Sequence, residues 1–226
     1  MIAPLAYLPL AQMLRSPRLW GNLTAWCALV LALAVFARSA GSLRGADYVL
    51  SGVYGALVVP FVAYVLVGAV LGGRSLRAST EPLASFGAAP ARVAGAMVLV
   101  TAVACALLCA ALGSVVALVA HGAADPPPVR DAIASGYAGA LGGGAYATWL
   151  SLGASFGRRG GGRVVWLAID WLLGSNQGVA ALFTPRGHLR NLLGDAPPMD
   201  LSERASAAAL LALAAVYTLW AARRAE

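Results

Sequence analysis

The chain has 226 residues, of which 60% are hydrophobic and only 11% charged, with a formal net charge of +7. Soluble domains carry about 25% charged residues, so this deficit, together with a mean hydropathy of +0.77, excludes an ordinary soluble domain and points to an integral membrane protein. All sixteen basic residues are arginine, which rules out a P-loop lysine for nucleotide phosphates and a Schiff-base amine.

The first nineteen residues are broken by Pro4, Pro9 and Pro17 and mix Met13 and Leu14 with Gln12, Arg15 and Arg18. This is the pattern of an interfacial helix lying on a membrane surface. Arg15 and Arg18 before an apolar run also fit a signal peptide, but the run is long for one and five more follow it. Apolar runs at 19–37, 49–72, 93–120, 132–156, 164–183 and 203–222 predict six spanning helices in a single all-α domain, each near the roughly 20 residues a bilayer requires. The fifth is the weakest, because Asp170, Asn176 and Gln177 lie inside it.

Between the second and third runs, the polar segment 74–92 predicts a short helix capped by Thr80, with Glu81 and Pro82 in its first turn. Leu83 and Phe86 would share its buried face, and Pro90 stops it before Arg92 opens the third run. The stretch Asp125-Pro126-Pro127-Pro128 reads as a stiff connector. The segment 184–200 interleaves Leu189, Leu192, Leu193 and Met199 with Arg186, Arg190 and Asp195, which predicts short helices at the outer leaflet.

Arginine placement orients this layout. Ten fall on one side (Arg15, Arg18, Arg74, Arg77, Arg92, Arg158, Arg159, Arg163, Arg223 and Arg224), against six on the other (Arg38, Arg44, Arg130, Arg186, Arg190 and Arg204). The positive-inside rule then puts both termini in the cytoplasm, in a multi-pass protein of the cytoplasmic (inner) membrane. The net charge follows from this topology and does not imply nucleic acid.

Other constellations carry less. Cys27, Cys105 and Cys109 read as small buried apolar residues without metal-binding spacing. His121 and His188 read as solvated loop residues, and most of the tryptophans as an interfacial belt. Gly153-Ala154-Ser155-Phe156-Gly157 matches a serine-nucleophile pattern, but both histidines belong to the opposite side. Gly68/Gly72 and Gly139/Gly143 put small residues four apart, which lets helix backbones approach closely. Asp170 either lines a translocation path with Trp171 and Asn176, pairs with an arginine such as Arg163, or serves the bundle as a structural carboxylate.

Taken in order, these features are an N-terminal interfacial helix, two spans, a cytoplasmic helix, three spans, a half-apolar outer segment and a last span ending in arginines. The layout resembles the membrane permease subunit of the type-2 ATP-binding-cassette (ABC) exporters. That family often has a glutamate, a leucine-rich stretch, a proline and an arginine after its second span, and Glu81, Leu83, Pro90 and Arg92 match this pattern. The resemblance implies a coupling helix, with Thr80, Glu81, Pro82, Leu83, Ser85, Phe86 and Arg92 docking on a separate cytoplasmic ATPase subunit. It also implies that Leu14, Arg15 and Arg18 clamp that partner, and that a second permease subunit completes the substrate path. ATP and magnesium would then sit on the ATPase, with no cofactor and no catalytic residue on this chain. One departure is that Ala84-Ser85-Phe86-Gly87-Ala88-Ala89 is small where the family is often leucine-rich. Two other classes remain open: an ion-coupled secondary transporter, for which Asp170 is the one available carboxylate, and a non-transporting membrane scaffold.

Overall fold

In a computed structural model of the chain, residues 3–39, 43–122, 128–157 and 159–226 are described, and all regular structure among them is helical. The expected connector at Asp125–Pro127 and Arg158 of the arginine count lie outside the described residues, as does the side chain of Arg44. The order is α1 (Ala3–Leu14), α2 (Pro17–Ser39), α3 (Leu43–Asp47) running into a π-helical stretch (Tyr48–Val58), α4 (Val59–Leu71), α5 (Leu76–Ala84), α6 (Pro90–Ala120) and α7 (Pro128–Ala154). There follow α8 (Gly162–Gly174), a 3-10 turn (Val179–Phe183), α9 (Pro185–Leu192), a second 3-10 turn (Pro198–Asp200) and α10 (Glu203–Arg224).

Four helical stretches are long and apolar enough to cross a membrane: Pro17–Ser39, Gly45–Ala84, Pro90–Ala120 and Glu203–Arg224. The expected fourth and fifth spans differ from these. α7 has 27 residues, ample length, but glycine, serine and tyrosine dilute its hydropathy and its C-terminal half is almost wholly buried. α8 has 13 residues, about 20 Å of helix against a hydrocarbon core of about 30 Å. The expected span at 164–183 therefore breaks at Gly174, and the chain turns back through 175–184 into α9.

The centre of the bundle is the seam between α6 and α7. A Cβ on Gly143 would lie 2.8 Å from the carbonyl of Cys105, and one on Gly139 would lie 2.6 Å from that of Cys109. Only glycine permits so close an approach of two backbones, the small-residue packing that replaces the hydrophobic effect inside a membrane. Tyr54, fully buried, enters the same notch and its hydroxyl donates to the Cys109 carbonyl. Ser114 Oγ donates to Ala132 O at 2.8 Å further along the seam. Around this pair α10 packs on both helices, α4 packs on both, and α2 lies against α4 and α6.

The C-terminal ends of α1 and α10 and several connectors gather at one end of the bundle. A Cβ on Gly160, in the α7–α8 connector, would meet the Arg74 carbonyl at 2.6 Å. Arg224 lies 4.0 Å above the Phe156 ring, and its Nε donates to Ser155 Oγ at 3.2 Å. A cleft of about 310 Å³ separates Gln12 and Arg15 of the α1 end from Ala69 and Gly72 of α4. The far end is lined by Asp47, His121, Arg130, Asp131 and Glu203 around a cleft of about 520 Å³. Asp47, Asp131 and Glu203 thus gather at this far end, with Arg130 among them.

The seam makes a testable distinction between two glycines. Gly139→Ala forces a methyl into the Tyr54 hydroxyl and the Cys109 carbonyl, which should cost about 1–3 kcal/mol. Gly144→Ala meets its nearest atoms at 3.8 Å and should be neutral or slightly stabilising, by up to about 1 kcal/mol. Thermal unfolding of the detergent-solubilised variants measures both.

Candidate functional site

The segment between α4 and α6 does form a short amphipathic helix, but with a different start. Gly72 and Gly73 take φ of +56° and +74°, closing α4 with bonds from Gly72 N to Ala69 O and from Gly73 N to Gly68 O. Ser75, not Thr80, then caps α5, its Oγ accepting from Ala78 N at 3.3 Å. Helix formation starts at Leu76 because the Ser75 oxygen satisfies a donor of the first turn. Thr80 sits in mid-helix, buried, its hydroxyl donating to Arg77 O at 2.8 Å. Glu81 and Pro82 accordingly fall near the helix C-terminal end instead of in the first turn.

The two faces of α5 are distinct. Leu76 and Thr80 are buried and Leu83 half-buried on a helix that packs against α6, while Glu81 and Pro82, and Ser85 and Phe86 just past the helix end, are exposed. Phe86 is 90% exposed, correcting the expectation that it buries beside Leu83. α5 ends at Ala84, and the following turn, with Gly87 at φ +85°, carries Phe86 away from the packed face. Ser79 Oγ lies 2.9 Å from Ser75 O and 3.1 Å from Leu71 O, sharing its one proton between them and so tying α5 back to α4. Arg92 is exposed at the start of α6.

α1 packs against α4 and α6 through Met13, leaving Leu14, Arg15 and Arg18 exposed. It ends before residue 16, where Ser16 Oγ accepts from Leu19 N at 3.2 Å and starts α2 earlier than the run at 19–37 implied. The α1 end and α5 therefore both lie beside the C-terminal end of α4.

Asp170 stands apart from this surface. It is fully buried, accepting from Tyr146 Oη at 2.7 Å and from the Arg186 backbone N–H at 3.1 Å. An unpaired carboxylate at membrane depth costs about 2.5–3.5 kcal/mol, and hydrogen bonds to a charged group return about 1.5–3 kcal/mol each. The Arg186 guanidinium continues the network: Nη1 donates to Ala56 O at 2.9 Å, and the group lies 5.3 Å from the Trp171 ring centre. Ala56 O is the carbonyl that Pro60, lacking an N–H, cannot bond from one turn later. Arg163 takes no part. Its Nε donates to Gly160 O at 3.1 Å and its guanidinium lies 5.2 Å from the Tyr64 ring centre. Trp171 on α8 and Asn176 just beyond its end are exposed, whereas Asp170 is buried; Trp171 meets the network through Arg186, and Asn176 Nδ2 donates back to Leu172 O at 2.9 Å.

Sequence reasoning missed what surrounds Asp170. His188 is 1% exposed, not solvated, and its Nε2 lies 3.0 Å from Leu182 O. Only an N–H can serve that carbonyl, so Nδ1 at 3.3 Å accepts from Ser206 Oγ. Ser206 in turn accepts from Asn191 Nδ2 at 2.8 Å, and the same amide donates to Leu201 O at 2.8 Å. Arg190 bonds Asp195 at 2.8 Å and Ser175 O at 2.7 Å, which holds the Asp195 carboxyl below its usual range. The signal was the density of polar groups in Arg186–Asn191, too high for a segment framed by apolar helices. Trp149 also departs from the expected belt. It is 5% exposed, packed on Trp166 and Tyr217, and its Nε1 donates to Trp166 O at 3.0 Å.

Ser155 has no base. Its Oγ donates to Leu152 O at 2.7 Å and accepts from Arg224, and an arginine does not take a proton. Among the described residues no group of three or more histidine, cysteine or acidic side chains could hold a metal. Compared with models of known protein families, with curated proteins and with solved structures, the chain matches none.

Two measurements probe the buried network. Tyr146→Phe strips Asp170 of its side-chain donor and should destabilise the folded chain by about 1–3 kcal/mol, read from thermal unfolding in detergent. Burial holds His188 below its ordinary value of 6.5. As pH falls through that value the unfolded chain takes up the proton first, so stability contributed by neutral His188 is present above it and lost on acidification. Melting temperature should fall between pH 7.5 and about 5.5 in the wild type, and His188→Gln should flatten that component.

Proposed function

We propose that this chain is the permease subunit of an ABC exporter, with six membrane passes and both termini in the cytoplasm. A separate cytoplasmic ATPase drives it, and a second permease subunit, identical or not, completes the path. The observation that carries this reading is the α5 segment, where Glu81 and Pro82 on the helix and Ser85 and Phe86 in the turn after it stand exposed while the helix is fastened to the bundle from behind. An aromatic ring left 90% exposed at a polar end of an apolar protein is a binding feature. The surrounding end is rich in arginine, with the α1 terminus (Leu14, Arg15, Arg18) alongside as a second contact.

Two further features support the assignment. The chain has no lysine for a phosphate-binding loop, so nucleotide-driven work would take place on a partner. The α5 N-cap meets the α7–α8 connector, where Gly160 closes on the Arg74 carbonyl. Force applied to α5 would reach α4 and α8 together, giving a route from ATPase closure to helix rearrangement without covalent chemistry here. The burial of Asp170 under Tyr146 and Arg186 favours a structural role for it over an ion-coupling one.

Purification of the tagged chain from its native membranes should recover an ATPase with a phosphate-binding loop. Glu81→Ala with Phe86→Ala should lower that recovery by roughly tenfold or more, as loss of a binding hot spot does. Arg130→Ala, at the opposite end, should leave it unchanged. A wild-type chain that purifies without an ATPase, or an association indifferent to the α5 substitutions, overturns the proposal.

A further inference from the structure

On the outside of the bundle, α6, α7 and α10 frame an open groove of about 650 Å³. Its walls carry Leu99 and Val103 of α6, Gly144 of α7, and Leu211, Ala215 and Leu219 of α10. Thr148 and Thr218 also reach it, but their hydroxyls bond back to Ala145 O at 2.8 Å and Ala214 O at 2.7 Å within their own helices. The groove therefore offers no hydrogen-bonding group. It cannot select a polar substrate, and in a bilayer it faces hydrocarbon.

Helix periodicity adds a second element. Arg92 is seven residues before Leu99 on α6, two turns along the same face and roughly 10 Å away. Arg223 is four residues beyond Leu219 on α10, one turn and roughly 6 Å away. α6 and α10 run close at this level, where a Cβ on Gly95 would lie 3.9 Å from that of Ala222. Both arginines are exposed, and among the described residues neither guanidinium is in an ion pair or hydrogen bond. An apolar trough thus ends, on both walls, in an unpaired cation at the arginine-rich end of the bundle.

We propose that this groove binds an anionic phospholipid, with one acyl chain along the Gly144 floor and the phosphate between Arg92 and Arg223. The two halves of the site match the two halves of that molecule. A zwitterionic lipid would bring its own cation to the arginines, and a second copy of the chain seated here would bring like charges. Guanidinium groups bind phosphate oxygens through paired N–H donors, and each basic residue at an anionic membrane surface adds measurably to attraction.

The test uses the full-length chain, delipidated in detergent and titrated with dioleoyl phosphatidylglycerol or dioleoyl phosphatidylcholine, with retained lipid counted by native mass spectrometry. The wild type should retain phosphatidylglycerol about tenfold more than phosphatidylcholine at equal concentration. Arg92→Gln with Arg223→Gln should abolish the preference, while Gly144→Leu, which fills the floor, should lower retention of both lipids by about fivefold or more. Ala215→Leu fills the groove from the opposite wall and serves in its place should Gly144→Leu fail to fold. Equal retention of the two lipids by the wild type overturns the proposal, as does a preference that survives loss of both arginines. A groove-filling variant that splits a dimer without changing lipid retention also overturns it, and would assign the face to a second copy.

Discussion

The bundle depends on the absence of side chains along one line. Where α6 and α7 meet, Gly139 and Gly143 let the carbonyls of Cys105 and Cys109 approach to distances at which any Cβ would collide. In lipid no hydrophobic force pulls helices together, so contact area and close packing must do so. A seam this tight also dictates what lies over it. Tyr54 fits because its hydroxyl lies over Gly139 and finds the Cys109 carbonyl there, and α4 packs onto the pair just beyond it. The π-helical stretch preceding α4 belongs to the same arrangement, since it delivers Tyr54 inward and leaves the Ala56 carbonyl for Arg186.

The second organising element is a polar network in an apolar frame. α9 is short and its sequence strongly polar, yet Gly187, His188, Leu189 and Asn191 are buried. Its polar groups are matched against Asp170 of α8, Ser206 of α10, and the carbonyls of Ala56, Leu182, Ser175 and Leu201. Groups that would each be expensive alone become a fixed register when paired. The network fixes α8, α9 and α10 relative to one another, whereas α5 at the other end is fastened by a few backbone-directed bonds and turns its polar face outward.

Much of this was legible in the sequence. Long apolar runs gave α2, α6 and α10 nearly to the residue, and the spacing of Gly139 and Gly143 announced the seam. Arginine counts assigned Arg15, Arg74 and Arg224 to one side, and these residues do lie at one end of the bundle. The errors share a cause: periodicity reports which residues can share a face, not what lies opposite. Thr80 fits an N-cap as well as Ser75 does, and only the left-handed turn at Gly72–Gly73 selects the latter. Asp170 was visible as an anomaly, but its partners are 24 and 16 residues away, and a polar hexapeptide between apolar runs reads as a surface loop until packing buries it. Glu81 and Phe86 are both exposed, while Trp171 reaches the Asp170 network only through the Arg186 guanidinium and Asn176 bonds back to Leu172 O.

The brevity of α8 has a consequence for the surrounding lipid. Its outward side shows Val164, Val165, Ala168 and Leu172 and then gives way to the exposed Ser175, Asn176, Gln177 and Gly178. Hydrocarbon can wet this face for only about 20 Å before meeting polar backbone, whereas α2 and α6 present a full membrane thickness elsewhere on the perimeter. Where lipid reaches this face, a bilayer would thin beside α8, at a cost of fractions of a kcal/mol per Å of mismatch. Covering that face with another protein surface removes the thinning, so membrane elasticity itself favours burying α8 against a neighbour.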